Sequence, residues 1–376
     1  MKNAGTGIRS YLFLIVLCFV SVAPTSAFAQ SKPDWQLKWD KVLSAAKKEG
    51  KAVVFGPPGE LIRQAISEGF SKAFPNITIE YSGGRGGEQA TKLKAERDGG
   101  VYSVDVILSG NQTGITQLKP MGALDPIEPA LILPEVTDRK YWRGNAFEFS
   151  DKERKYILVF VKQVKTQLAY DPMQVKPDEI DELYELLDPK WKGKIVINDP
   201  LPSGAGFVSF QWIWKVLGPD KAKDYYKRIR TQAGVVDRDQ RRQLEWIAQG
   251  KYAILVAPSD TALQQLLQRG LKFDVLAEFK DYGSYTTASS GAAMLINKAP
   301  HPNAATIFLN WVLSKEGQWA WSKAMNHAVQ RLDVPTDHLP PYVVPKPGVK
   351  YWISDSEENV LRSSEEERIL KELFGR

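Results

Sequence analysis

The chain of 376 residues carries 50 lysines and arginines against 44 aspartates and glutamates, a net charge of +6, with 43% hydrophobic residues and one cysteine. Basic residues are interspersed with acidic ones rather than gathered into a stripe, so no nucleic-acid partner is expected. A single thiol excludes internal disulfides, cysteine zinc clusters and redox pairs, so the chain must rest on a large apolar core, and it is long enough for two domains.

Residues 1–29 read as a secretory signal peptide. Lys2 and Arg9 precede or flank the apolar run YLFLIVLCFVSVA, and Ala27 and Ala29 form an A-x-A cleavage site. The run is shorter than the roughly 20 apolar residues of a membrane span, which disfavours the alternative of an uncleaved anchor. Cys18 follows Leu17 rather than a small residue, against a lipoprotein site. The expected mature chain begins at Gln30, lies in the periplasm and has no cysteine. Removing 29 of 376 residues leaves 347, and losing Lys2 and Arg9 lowers the net charge to +4.

After the signal, WQLKWDKVLSAAKKE (35–49) has helical spacing and stops at Gly50. A unit then repeats. The run KAVVFG leads through PPGE to LIRQAISEGFSKAF, ITIEYSG through GRGGE to QATKLKAERDGG, and VDVILSG through NQTG to ITQLKPMG. Short apolar runs alternating with helix-length amphipathic segments predict a parallel sheet covered by helices, an α/β lobe.

From Leu124 the chain becomes Pro-rich (LDPIEPALILPEV), then polar (SDKERK), then extended (YILVFVKQVKTQLAYDP), the pattern of a strand crossing between lobes. A second α/β set follows. It comprises helix DEIDELYELLD, strand KIVINDP, helices near 206–217, 220–231 and 240–249, strand YAILVAP, helix TALQQLLQRG and strand LKFDVLAEF. A second crossing, SYTTASSGAAMLINK, leads into the amphipathic HPNAATIFLNWVLSKEGQWAWSKA. Two crossings make a hinge and a discontinuous first lobe: residues 30–160 with 286–376 form lobe 1, and 161–285 form lobe 2. The basic run 221–230 and the acidic C-terminal stretch SEENVLRSSEEERILKELF are expected as solvated helices. Phe207, Phe210, Trp212 and Trp214 are expected in the core rather than as a stacking platform.

The loop SGGRGGEQ (82–89) lacks the third small residue of a G-x-G-x-x-G dinucleotide fingerprint. Gly193-Lys194 and Gly250-Lys251 lack the Ser or Thr of a phosphate-binding P-loop. No cofactor is expected. The glycines either supply a tight turn or present helix N-terminal amides to an anion, with Arg85 as a bidentate donor. In open α/β sheets ligands sit beyond the carboxyl ends of the strands. Those ends supply Gly56, Pro57, Gly84, Arg85, Gly86, Ser109, Gly110 and Asn111 from the first lobe. From the second they supply Asp199, Ser203, Gly204, Arg238, Arg241, Ser259 and Asp260.

No catalytic signature competes. His301, His327 and His338 stand in no metal-ligand spacing, and no G-x-S-x-G elbow occurs. The chain is therefore expected not to be an enzyme, with a hydrolase using a carboxylate pair as a minor alternative.

The segments AKKEGKAVVFG, GRGGEQATKLKAERDGGVYSVDVILSG, GALDPIEPALILPEV, LLDPKWKGKIVINDP, EWIAQGKYAI and HPNAATIFLNWVLSKEGQ resemble the periplasmic substrate-binding proteins of ABC importers. Within them, the resemblance is specifically to the extracellular solute-binding family related to ferric-iron-binding proteins. The resemblance covers most of the mature chain. It implies an α/β fold of two discontinuous lobes joined by two hinge strands, with a ligand cleft between them. It further implies a monomer that delivers a small solute to an ABC permease in the inner membrane.

In iron-carrying relatives the resemblance implies a His after the first strand, a Glu after the third, and adjacent tyrosines after the G-x-YAI strand. The corresponding places here hold Pro57 or Pro58, Ser109-Gly110, and Pro258-Ser259-Asp260. Tyr225-Tyr226 precedes that strand within a helical run, where adjacent side chains point about 100° apart. No metal site is expected, and the solute is expected to be a small organic carboxylate, phosphate or phosphonate. A ferric ion, or a polyamine held by Glu60, Glu88, Asp199 and Asp260, is the alternative cargo. A sensory binding protein is the alternative role.

Overall fold

The computed structural model describes residues 32–202, 204–362 and 364–375. The expected signal peptide, 1–29, and Ser203 lie outside them.

Three parallel strands begin the first sheet. Lys51–Gly56 pairs with Thr78–Gly83 on one side and with Val106–Ser109 on the other. The central strand Val106–Ser109 is buried throughout, as a parallel strand covered on both faces must be. Thr78–Gly83, at the edge, buries Ile79 between exposed Thr78 and Glu80. Ala292–Ile296 returns antiparallel beside Val106–Ser109, and Leu158–Val159 and Glu148–Phe149 extend the sheet. Helices Glu60–Ala73, Pro302–Val312 and Lys315–Met325 cover one face, where Phe70, Phe308, Trp311 and Trp321 join one apolar core. Trp311 meets Phe70 edge-on with ring centroids 5.6 Å apart.

The second sheet repeats the plan. Ile195–Asn198 is flanked by parallel Ala233–Asp237 and Ile254–Val256, and Leu168–Tyr170 runs antiparallel beside the latter. Asp274–Leu276 closes the far edge. Its core holds Phe210, Trp212, Trp214, Tyr225 and Tyr226. Both tyrosines are thus packing residues, as their helical position required. Phe207 is a correction. It is only half-buried and lines the space between the lobes, because it sits in the first turn of helix Ala205–Leu217, beyond the sheet edge.

The first crossing is not one long strand. It breaks into Leu158–Val159, Gln163–Val164 and Leu168–Tyr170, which belong to three different sheets. Gln163–Val164 pairs antiparallel with Tyr285–Thr287 from the second crossing. Lys165 N–H donates to the Tyr285 carbonyl (2.9 Å), and Ser284 Oγ donates to the Lys165 carbonyl (2.8 Å). These bonds tie the two crossings into a hinge. A further strand, Trp352–Ile353, joins Tyr285–Thr287 in parallel.

That extra strand changes the placement of the C-terminus. Helix Ser364–Phe374 is not merely a solvated surface helix of the first lobe. It buries Ile369, Leu370 and Phe374 in the second core, with Phe374 edge-on to Phe210 at 5.3 Å. The spacing of those three residues gives the helix an apolar stripe that acidic neighbours masked in the sequence. Residues 178–188 also differ from expectation: short 3₁₀ turns replace a helix, punctuated by Pro177 and Pro189 and by the Glu182–Glu185 capping interaction. Leu370 is fully buried, so Leu370→Ala should destabilise the second lobe by about 2–5 kcal/mol. Urea unfolding followed by tryptophan fluorescence reads this through Trp212 and Trp214, and an unchanged midpoint would refute the packing.

Candidate functional site

The parallel strands of both lobes end on the same interlobe space, a cavity of about 740 Å³. On the first lobe, Thr78–Gly83 turns through Gly84 and Arg85 into helix Gly86–Asp98, and Val106–Ser109 turns at Gly110 into Asn111–Thr113. On the second, helix Ala205–Leu217 starts from Gly204 and helix Asp260–Gln268 from Ser259. Four helix N-termini therefore border one cavity, each with first-turn amides that lack an intrahelical partner. The helix 86–98 has no side-chain cap, and its first backbone bond runs from Gln89 N–H to the Arg85 carbonyl (3.0 Å).

Two glycines are dictated by this geometry. A Cβ on Gly86 would collide with Ser109 Oγ and Thr113 Oγ1, so glycine lets two adjacent loops close on each other. Gly204 has φ 148°, a conformation that side-chain-bearing residues rarely adopt.

Charge in the wall is mostly neutralised internally. Lys165, 4% exposed, pairs with Asp260 Oδ2 at 3.0 Å and donates to the Pro258 carbonyl. Burial pushes the Lys165 ammonium below its ordinary range, while Asp260 pulls the other way. The Arg85 guanidinium has no hydrogen-bond, ion-pair or ring partner among the described residues, and the exposed Glu88 carboxylate likewise has none. Gln211, 1% exposed, lines the cavity with Nε2 unpartnered, and Tyr285 Oη shares a hydrogen bond with Ser209 Oγ at 2.9 Å. Asp355 is buried in the wall, accepting from Ala288 N–H and Ser354 Oγ, and burial pushes it up to about 7, aided by Glu148.

Of the residues named from sequence, the cavity gathers Pro57, Gly84, Arg85, Gly86, Ser109, Gly110, Asn111, Gly204, Ser259 and Asp260. Four described ones do not line it. Gly56 is packed beneath Tyr81, and its carbonyl accepts from Gly84 N–H (3.0 Å) and Gln89 Nε2 (2.9 Å). Asp199 is buried against Arg238 Nε (2.7 Å) and caps the following turn through Leu201 N–H. Arg241 turns along its own helix to Glu245 at 2.7 Å, because an i,i+4 carboxylate lies within reach. Lys165, Gln211, Tyr285, Ser354 and Asp355 were missed. Lys165 carried no distinct signal, since Lys162, Gln163, Thr166 and Gln167 stand in the same crossing stretch. Asp355 had none, since its acidic surroundings read as solvated surface.

This two-lobe arrangement is that of the periplasmic binding proteins of ABC importers. The family model of bacterial extracellular solute-binding proteins matches residues 65–341, and the chain belongs to that family. An uncharacterized protein of Haemophilus influenzae is 22% identical over 288 residues, spanning 75% of this chain and 78% of that one. Iron-bound HitA of Pseudomonas aeruginosa superposes with TM-score 0.63 at 17% identity, covering 86% of this chain and 99% of its own. AfuA of Actinobacillus pleuropneumoniae with fructose-6-phosphate gives 0.64 at 18%, covering 86% and 97%. The substrate-binding protein of an Agrobacterium tumefaciens ABC transporter gives 0.66 at 17%, covering 88% and 95%. These likenesses confirm the fold.

Asp355 generates a prediction about pH. Its folded pKa of about 7 lies above the ordinary 3.8, so between those values the folded protein holds a proton that the unfolded chain has released. Its contribution is therefore full in acid and lost as pH rises through 7. Glu366, also raised to about 7 by burial, acts in the same direction, and His327, lowered to about 4, acts oppositely below neutrality. Comparison with Asp355→Asn isolates the one group. Melting followed by circular dichroism at pH 5 and pH 8 should show the variant losing less Tm than the wild type, by roughly 3 °C or more; equal losses would remove Asp355 as the cause.

Proposed function

We propose that the chain captures a small organic anion, a carboxylate or phosphate ester, between its lobes and passes it intact to an inner-membrane permease. The observation that carries this reading is Arg85: a guanidinium at the start of an uncapped helix, without an internal partner, facing a cavity bordered by three further helix N-termini. Such N-termini favour negative charge, and an arginine fork adds bidentate recognition of carboxylate or phosphate. Lys165 adds positive charge at the hinge but is held by Asp260.

The alternative cargoes fit less well. A polyamine needs several unengaged carboxylates, yet Glu60 pairs with Arg63, Asp199 with Arg238 and Asp260 with Lys165, which leaves Glu88 and the buried Asp355 in the wall. A ferric ion needs several anionic oxygens or imidazoles, and the matching positions hold Pro57, Pro58, Ser109 and Ser259. Among the described residues no group of three or more His, Cys, Asp or Glu side chains is arranged to hold a metal. HitA is iron-bound and AfuA is bound to a sugar phosphate; the cleft chemistry here favours the second kind of ligand.

In this reading residues 1–29 direct export to the periplasm and the protein works as a monomer. The lobes move about the paired crossings near 163–164 and 285–287, and the solute favours the closed arrangement through its greater affinity for it. A thermal-shift panel of phosphate esters, carboxylates, amines and ferric citrate on the mature chain is the first test. An organic anion should raise Tm, and Arg85→Ala should then weaken its binding roughly 10- to 100-fold in calorimetry with an unchanged melting curve. Stabilisation by amines or ferric citrate alone, or unaltered affinity in the variant, would defeat the reading.

A further inference from the structure

The family match ends at residue 341, yet Ser354, Asp355 and Val360 line the cavity. The segment that carries them is fastened at three places. Strand Trp352–Ile353 pairs with hinge strand Tyr285–Thr287, and Ser354 Oγ donates to the Thr286 carbonyl at 2.9 Å. Glu357 then binds Lys119 (2.6 Å) and accepts from Lys152 N–H (2.9 Å), and Val360 enters an apolar cluster of the first lobe. Beyond it Arg362 reaches the second lobe, donating to the carbonyls of Pro200 (2.9 Å) and Phe207 while its guanidinium lies 3.5 Å over the Phe207 ring. The result is a strap that runs from the hinge along one lobe to the other and forms one wall of the cleft.

Asp355 is fixed within this strap. Its backbone carbonyl accepts from Asn111 Nδ2 at 2.7 Å, and its carboxylate accepts from Ala288 N–H and Ser354 Oγ, with the Asn111 side chain also favouring its charged form. Among the described residues no cation pairs with it. The charged groups nearby are Glu148, which is held by Lys162, and Glu357, which is held by Lys119; Lys165, the other cation of the wall, is engaged by Asp260. An acidic residue 6% exposed that lines the cavity and lacks a cationic partner among the described residues has remaining acceptor capacity for a donor from outside the protein.

We propose that the C-terminal strap, 352–362, is the specificity wall of the cleft, and that Asp355 selects organic anions that also carry a hydroxyl or ammonium group. The inference rests on the anion reading: Arg85 takes the anionic end of the solute, and Asp355 accepts a hydrogen bond from the other. It narrows the solute class to hydroxylated or aminated carboxylates and phosphates and excludes simple anions as the preferred cargo. The buried carboxyl also ties selection to pH, because the donor is best held once Asp355 is ionised; preference should rise as pH climbs through neutrality.

Calorimetry on the mature full chain tests this with two probe series at pH 8. One comprises methyl phosphate, glycerol 3-phosphate and phosphoethanolamine, and the other propionate, lactate and β-alanine. In at least one series a donor-bearing probe should bind about 10-fold or more tighter than its simple counterpart. Asp355→Ala should abolish that preference. Asp355→Asn, which keeps an acceptor and the shape, should retain a preference for hydroxyl but lose one for ammonium, and it serves as the readout if the alanine variant does not fold. Binding of the simple anions with no preference, or a preference that survives both substitutions, would overturn the inference alone. Failure of every probe in both series would overturn the anion reading and this inference with it.

Discussion

Parallel pairing of strands constrains everything else in this molecule. When neighbouring strands run in the same direction, each must be followed by a helix that returns along a sheet face, and every such helix starts at the same edge. Lys51–Gly56, Thr78–Gly83 and Val106–Ser109 do this in one lobe, and Ala233–Asp237, Ile195–Asn198 and Ile254–Val256 in the other. Amides without partners and the positive ends of helix dipoles collect there. The hinge turns the two edges toward each other, and the cleft follows.

Two kinds of buried charge then divide the wall. Lys165 and Asp260 neutralise each other between the first crossing and the second-lobe helix, so they bind the hinge to a lobe without presenting net charge. Asp355 has no such counterion among the described residues, and its one charged neighbour of note, Glu148, is of like sign. Keeping an acid buried without one costs stability, and a site that retains such a group is set apart from one lined by mutually satisfied pairs. Arg85 is the reverse case, an exposed cation whose partner is not within the protein. Among the described residues the cleft thus has one cation and two carboxylates without an ion-pair partner: Arg85 and Glu88 on the first-lobe rim and Asp355 on the C-terminal segment.

The lobes and the first-lobe edge were legible in the sequence because they depend on local pattern. Apolar runs of strand length, loops such as GGRGG and helix-length amphipathic segments identify βα units without any knowledge of distant contacts, and Arg85, Ser109 and Gly110 follow from them. Arg238 and Arg241 lie on a similar strand-to-helix turn, yet nearby carboxylates claim both side chains. Residue type at a loop indicates what a side chain can bind, and only packing decides whether something in the protein already binds it. The C-terminal segment was misread for a related reason: its apolar residues are few and set among glutamates, and Leu370 and Phe374 become core only because the second lobe supplies the facing surface.

The sequence by itself determined the α/β class, the two-lobe plan, the family likeness and the chemistry of the first-lobe rim, since all of these arise from periodicities and motifs spanning a few to a few tens of residues. Tertiary structure alone decided that Lys165 faces Asp260, that Arg241 is turned away, and that Asp355 meets Asn111 at the cleft across a sequence separation of 244. The reason is physical. Burial and charge pairing are properties of surfaces brought together by the hinge, and no local stretch of residues encodes which surface it will meet.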